Sequence, residues 1–136
     1  MIEAVGHQFL QGYFQKCSSL LKKDGMLLLQ AITIDDRRYR QASKTVDFIQ
    51  RYIFPGGCLP SISVMAEHLR ESTDLCIYHL EDITQHYVTT LKRWREAFLA
   101  NIDQVHAQGF SEEFVRMWEY YLCYCEGGFK ERAIGT

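Results

Sequence analysis

Both prolines of this 136-residue chain, with two adjacent glycines between them, lie in one ten-residue run, Tyr52-Ile-Phe-Pro-Gly-Gly-Cys-Leu-Pro-Ser61. The rigid backbone of the chain is therefore concentrated at a single place. Pro55 and Pro60 fix φ and turn the residues before them away from helix, while Gly56 and Gly57 admit positive φ or the close approach of a ligand. Aromatic and aliphatic residues surround the turn. It reads either as a plain turn between helices or as a stiff apolar corner where a hydrophobic substrate lies against backbone.

The length suits one domain with one hydrophobic core. A hydrophobic content of 47% and an aromatic content of 13% supply large side chains to bury. The formal net charge of −2 offers no basic footprint for nucleic acid. No apolar run approaches the roughly 20 residues needed to span a bilayer. Met1-Ile-Glu-Ala has neither the basic start nor the apolar segment of a signal peptide, so the cytosol is the expected compartment. The five cysteines, Cys17, Cys58, Cys76, Cys123 and Cys125, have no ligand-like spacing. They read as buried reduced thiols, and no metal is expected.

Leu10, Tyr13, Phe14, Cys17, Leu20 and Leu21 recur at helical spacing and predict an amphipathic helix over about 7–22, stopped by Asp24-Gly25. Met26–Ile34 is almost continuously apolar, as in a strand buried on both faces of a parallel sheet. Asp35–Arg40 reads as solvated surface. Ala42, Val46, Ile49 and Ile53 predict a helix ending at Pro55, and Ser61 is placed to cap another carrying Ile62, Met65, Ala66 and Leu69. Leu75–Leu80 reads as a second strand. Tyr87 to Val105 stripes a long helix, and Ser111-Glu-Glu opens a last one with Phe114, Met117, Trp118, Tyr121, Leu122 and Cys125 on its face. Two strands make a poor parallel sheet, and Met1-Ile-Glu reads as the end of a third. The expected fold class is α/β, the second half of a doubly wound domain.

These motifs resemble the cyclopropane-fatty-acyl-phospholipid synthase family, which includes the mycolic acid cyclopropane synthases. The matching runs are Ile2–Gly6, Leu28–Thr33, Asp47–Ser61, His86–Leu91 with Trp94, and Arg116–Leu122 with Cys125, in the family's order. The resemblance implies the C-terminal half of a Rossmann-like methyltransferase sheet, helix-rich because of acyl-binding insertions. Residues 1–136 would be a partial, substrate-side domain. The Gly-rich loop and acidic residue that hold S-adenosylmethionine would lie upstream of Met1 and the last strand beyond Thr136, so no cofactor-binding residue is expected in this chain.

By the same resemblance, a methyl group passes to a cis double bond within a phospholipid acyl chain. A weak nucleophile of that kind needs a close, in-line donor in a dry site. The cation that forms loses a proton to close a ring, with bound bicarbonate as base. Four positions map onto the bicarbonate cradle: Glu3 as the carboxylate, Ile32 through its backbone N–H, Tyr87 through its hydroxyl, and Gln30 where many members have histidine. A glutamine amide donates to an anion but takes no proton at neutral pH, so Gln30 is read as positioning. Phe54, Gly56, Gly57, Trp118, Tyr120 and Tyr121 are the candidates for the acyl channel. Plainer accounts stand beside these: a solvated terminal Glu3, a backbone-bonded Gln30, and core aromatics.

The partners implied are phospholipid acyl chains at the membrane surface, with a cytoplasmic protein peripheral to the inner membrane. Open sheet edges predict a homo-oligomer, or a complement to a missing N-terminal half. Alternatives are an inert fragment that binds lipid or a partner, and a relative that leaves a methyl branch in place of a ring.

Overall fold

The computed structural model describes residues 1–136 as two compact units, 1–82 with 134–136, and 83–133. In the first unit, 3-10 turns at Ile2–Ala4 and His7–Phe9 lead into α1 (Leu10–Leu20). There follow β1 (Thr33–Ile34), α2 (Asp36–Ala42), α3 (Phe48–Tyr52), α4 (Ile62–Ser72) and, from the chain's end, β2 (Ile134–Gly135). The second unit holds α5 (Thr84–Ala100), α6 (Ile102–Ala107) and α7 (Glu112–Lys130).

The helical stripe read over 7–22 builds the core of the first unit. Leu10 and Phe14 are buried with Ile2, and Val64, Met65 and Leu69 of α4 pack against them. Each fully buried side chain of this size stabilises by about 1.5–3 kcal/mol. The expected stop is present: the chain turns extended at Leu21 and closes a turn from the Gly25 N–H to the Lys22 carbonyl. Ser61 caps α4 by accepting from the Val64 N–H at 3.4 Å.

Two helices break where polar side chains outcompete the backbone. The helix expected from Ala42 to Pro55 is replaced by α2 and α3. Asp47 accepts from the Gln50 N–H at 2.8 Å and Gln50 accepts from the Asp47 N–H at 3.0 Å, a closed capping box that starts α3 afresh. Asn101 ends α5 by donating to the Ala97 carbonyl at 2.7 Å, so the long helix to Val105 becomes α5 and α6. The charged run Asp35–Arg40, read as solvated surface, is mostly exposed and forms α2, begun by Asp35, which accepts from the Arg37 N–H at 2.9 Å.

Strands depart most from the sequence reading. Of Met26–Ile34 only Thr33–Ile34 is strand, and it pairs antiparallel with Ile134–Gly135, not parallel. Leu75–Leu80 is not strand, and Met1-Ile-Glu enters a 3-10 turn instead of ending one. A strand exists by pairing, and nothing in this chain supplies a ladder for these apolar runs. Met26, Leu28 and Tyr78 stand 79%, 91% and 89% exposed.

The second unit is a helical hairpin of α5 on α7. Leu91, Val115, Leu122 and Phe129 are buried, and Ser111 caps α7 by accepting from the Phe114 N–H at 3.3 Å. Arg95 reaches across to Glu126 at 3.2 Å. No helix of the chain is long and apolar enough to cross a membrane.

Candidate functional site

Three separate segments meet at Glu3. One carboxylate oxygen accepts from the backbone N–H of Ile32 at 2.7 Å, and the other lies 2.8 Å from the Met1 amino group. The Glu3 carbonyl accepts from the Cys58 N–H at 2.7 Å, which fixes the Pro-Gly turn beneath the same residue. Burial opposes ionisation of Glu3, but the bonds from the Met1 amine and the Ile32 N–H outweigh it and hold the pKa below its ordinary value of 4.5. Glu3 is thus a fixed, half-buried anion.

The turn is built to bring its backbone this close. Gly56 has φ +81°, and a Cβ there would meet nothing within 4 Å, so its glycine serves conformation. At Gly57 a Cβ would lie 3.1 Å from the Phe54 carbonyl oxygen and 3.4 Å from that of Glu3. The close approach foreseen for a ligand is therefore taken up by Glu3 itself. The Gln50 amide donates to the Gly57 carbonyl at 2.8 Å, and the Pro60 carbonyl accepts from the Ile34 N–H at 3.0 Å, binding the turn to α3 and β1.

Of the four expected cradle positions, the structure joins two. Glu3 and Ile32 bond directly to each other, so the N–H assigned by resemblance to a bicarbonate ion is given to the carboxylate. Gln30 is exposed, two residues before Ile32. Tyr87 belongs to the second unit, half-buried with its ring 5.1 Å from that of Phe129.

The channel candidates also divide. Phe54 is 57% exposed. In the second unit Phe110, Phe114, Trp118 and Tyr121 form a continuous aromatic ladder with ring spacings of 4.3, 5.6 and 5.0 Å. Burial pushes the Tyr121 hydroxyl pKa up, and the nearby Cys125 adds to the shift. Tyr120 lies outside the ladder and pairs with Tyr124 at 6.0 Å.

Two participants were not foreseen. Cys58 supplies the N–H that seats Glu3, and burial raises its thiol pKa against a bond from the His7 backbone. Gln50 holds the turn; the Asp47-x-x-Gln50 spacing of a capping box was the signal for it. A shallow groove of about 660 Å³ along α1, lined by Val5, Gln8, Phe9 and Tyr13 among others, includes none of the candidates.

The mycolic acid cyclopropane synthetase family matches residues 1–136. Tuberculostearic acid methyltransferase UfaA1 of Mycobacterium tuberculosis is 41% identical over 130 residues, covering 96% of this chain and 30% of that protein. The cyclopropane-fatty-acyl-phospholipid synthase of Escherichia coli K12 is 36% identical over 135 residues, covering 98% and 33%. Among solved structures, mycolic acid cyclopropane synthase CmaA1 complexed with SAH and CTAB superposes with a TM-score of 0.86 at 31% identity, over 98% of this chain and 49% of that one. The chain thus spans about a third of these curated relatives and half of that structure. The α/β methyltransferase class expected from the sequence is shown by this match, with the sheet here reduced to one short pair. A whole-chain family match and a shared fold above 30% identity lead to one conclusion: this chain belongs to the mycolic acid cyclopropane synthetase family of methyltransferases.

Proposed function

We propose that this chain is the acyl-side portion of a lipid methyltransferase that cyclopropanates cis double bonds in phospholipid acyl chains. The observation that carries this reading is the ionised Glu3, tied to Ile32 at the mouth of β1 and seated by the Pro-Gly turn. Ile32 directly precedes β1, so its bond fixes the carboxylate at the entry to that strand.

A carboxylate bonded to a backbone N–H is ionised at neutral pH, a weak base there and a strong electrostatic partner. Glu3 therefore steadies positive charge developing on the acyl chain and does not itself take the proton. Its two backbone bonds hold it in place without reorganisation. With Ile32 bonded to Glu3, the arrangement offers no ready cradle for bicarbonate, and the base that takes the proton on ring closure is assigned to the parts of the relatives that this chain does not span. S-adenosylmethionine finds no cradle among these residues either. Gly6, the left-handed glycine near the chain's start, precedes a 3-10 turn, and a Cβ there would meet the Gln8 side chain at 3.2 Å. Cofactor binding is thus assigned to the parts of the relatives that this chain does not span.

A second reading, a methyl-branched product, is favoured by the 41% identity to a protein named as a tuberculostearic acid methyltransferase. Both are tested by replacing the matching third of the Escherichia coli synthase with this chain and supplying methyl-labelled cofactor and unsaturated phospholipid. Mass spectrometry of the acyl chains should show labelled products carrying a ring. A labelled methyl or methylene branch would select the second reading, and no label from a folded, cofactor-binding chimera would exclude both.

A further inference from the structure

Basic charge and exposed apolar surface coincide on one stretch of the first unit. Residues 37–54 carry five basic side chains and one acidic one, Asp47, in a chain whose net charge is −2. Arg37 is taken up by Asp35 at 2.8 Å, but Arg38, Arg40, Lys44 and Arg51 make no ion pair and are exposed. Among them stand Val46 at 73%, Tyr52 at 56% and Phe54 at 57% exposure. The Arg51 guanidinium lies 5.5 Å from the centre of the Tyr52 ring, which joins the two characters in one place.

Hydrogen bonds anchor this stretch at its start and at the turn that ends it. Asp36, at the start of α2, accepts from the Ser63 N–H at 3.0 Å, and the β1 backbone that leads into α2 donates from Ile34 to Pro60. The capping box sets α3 off from α2 and leaves Val46 at the corner between them. The Pro-Gly turn then carries Phe54 outward.

We propose that α2, α3 and the Pro-Gly turn form a docking face for an anionic lipid bilayer. Cations beside a tyrosine, a phenylalanine and a valine match the headgroup layer, where charge meets phosphate and amphipathic rings sit at the boundary. An acidic protein surface would satisfy the arginines and leave the three apolar side chains in water. The face would bring the site built on the same turn down to the acyl chains, so the proposal rests on the lipid-substrate reading.

The test is flotation of the 136-residue chain with vesicles of phosphatidylcholine, with or without about a third phosphatidylglycerol. The chain should bind the anionic vesicles at least tenfold more tightly, and less so in high salt. Arg38→Glu with Arg40→Glu and Lys44→Glu should lose that preference while keeping the native circular dichroism. Val46→Ser with Tyr52→Ser should weaken binding and leave its salt dependence. Equal binding to both vesicles, or binding untouched by charge reversal in a folded variant, would overturn the proposal. So would binding of an acidic soluble protein in place of vesicles. Vesicle binding without methyl transfer by the chimera would fault the catalytic reading alone; methyl transfer to detergent-dispersed lipid without vesicle binding would fault this one alone.

Discussion

Glu3 and Ile32, 29 residues apart in sequence, are joined by a 2.7 Å hydrogen bond from backbone N–H to carboxylate. The bond links the first turn of the chain to the extended segment that becomes β1. Because the Glu3 pKa is lowered on folding, the unfolded chain holds more protons in the window between the folded pKa and the unfolded value near 4.5. The Glu3 contribution to stability is then complete above the unfolded pKa and is lost as pH falls through the folded one. Glu3→Gln keeps an acceptor but loses the charge, and should cost about 1 kcal/mol at pH 7. Urea midpoints measured at pH 7 and pH 3 should show that gap closing in acid. A gap that persists at pH 3 would mean that the charge is not what the site uses.

The two glycines of the turn should fail differently. Gly57→Ala drives a Cβ against two backbone carbonyls, including that of Glu3, and should cost about 1–3 kcal/mol by crowding. Gly56→Ala meets open space and should cost about 1 kcal/mol through its positive φ alone. Thermal melts rank the two, and only Gly57→Ala should also lower turnover of the chimera.

By the resemblance read from the sequence, Gln30 is expected at a position where many members carry histidine. If that position only orients groups, Gln30→His in the chimera should change turnover by less than about threefold and add no ionisation near pH 6.5. A gain approaching a hundredfold, the scale of general acid–base catalysis, would instead reveal a proton relay that this chain lacks.

Met26, Leu28, Ile77 and Tyr78 lie exposed in segments without ladder partners. Such edges recruit other chains. Light scattering should show self-association that rises with concentration and is reduced by Leu28→Lys. A monomer at high concentration would show that these segments are tolerated in water.

The helices were legible because their signals are local. The Leu10–Leu21 stripe repeats every three or four residues, and the Ser61 and Ser111 caps and the Asp24-Gly25 stop each act within one turn of backbone. Asp47 and Asn101 were also local, but the apolar spacing of Ala42–Ile53 and Tyr87–Val105 concealed them. The strands misled for a different reason. Apolarity at Met26–Leu29 and Ile77–Tyr78 records a preference for burial, whereas strand formation depends on a neighbouring strand that spacing cannot reveal. Ile32 and Glu3 had no chemical signal in composition or period; the family resemblance singled them out, and their direct bond was not foreseen. Cys58, read as a buried thiol, matters here through its backbone N–H, a group that every residue except proline has.

The most direct test of the account is the Glu3→Gln substitution in the chimera of this chain with the Escherichia coli synthase, assayed with labelled cofactor and dispersed unsaturated phospholipid. Electrostatic stabilisation by Glu3 predicts a fall in kcat of about a hundredfold or more, with cofactor affinity and lipid KM nearly unchanged. Full turnover in the folded variant would contradict the role assigned to Glu3 and, with it, the site built around it.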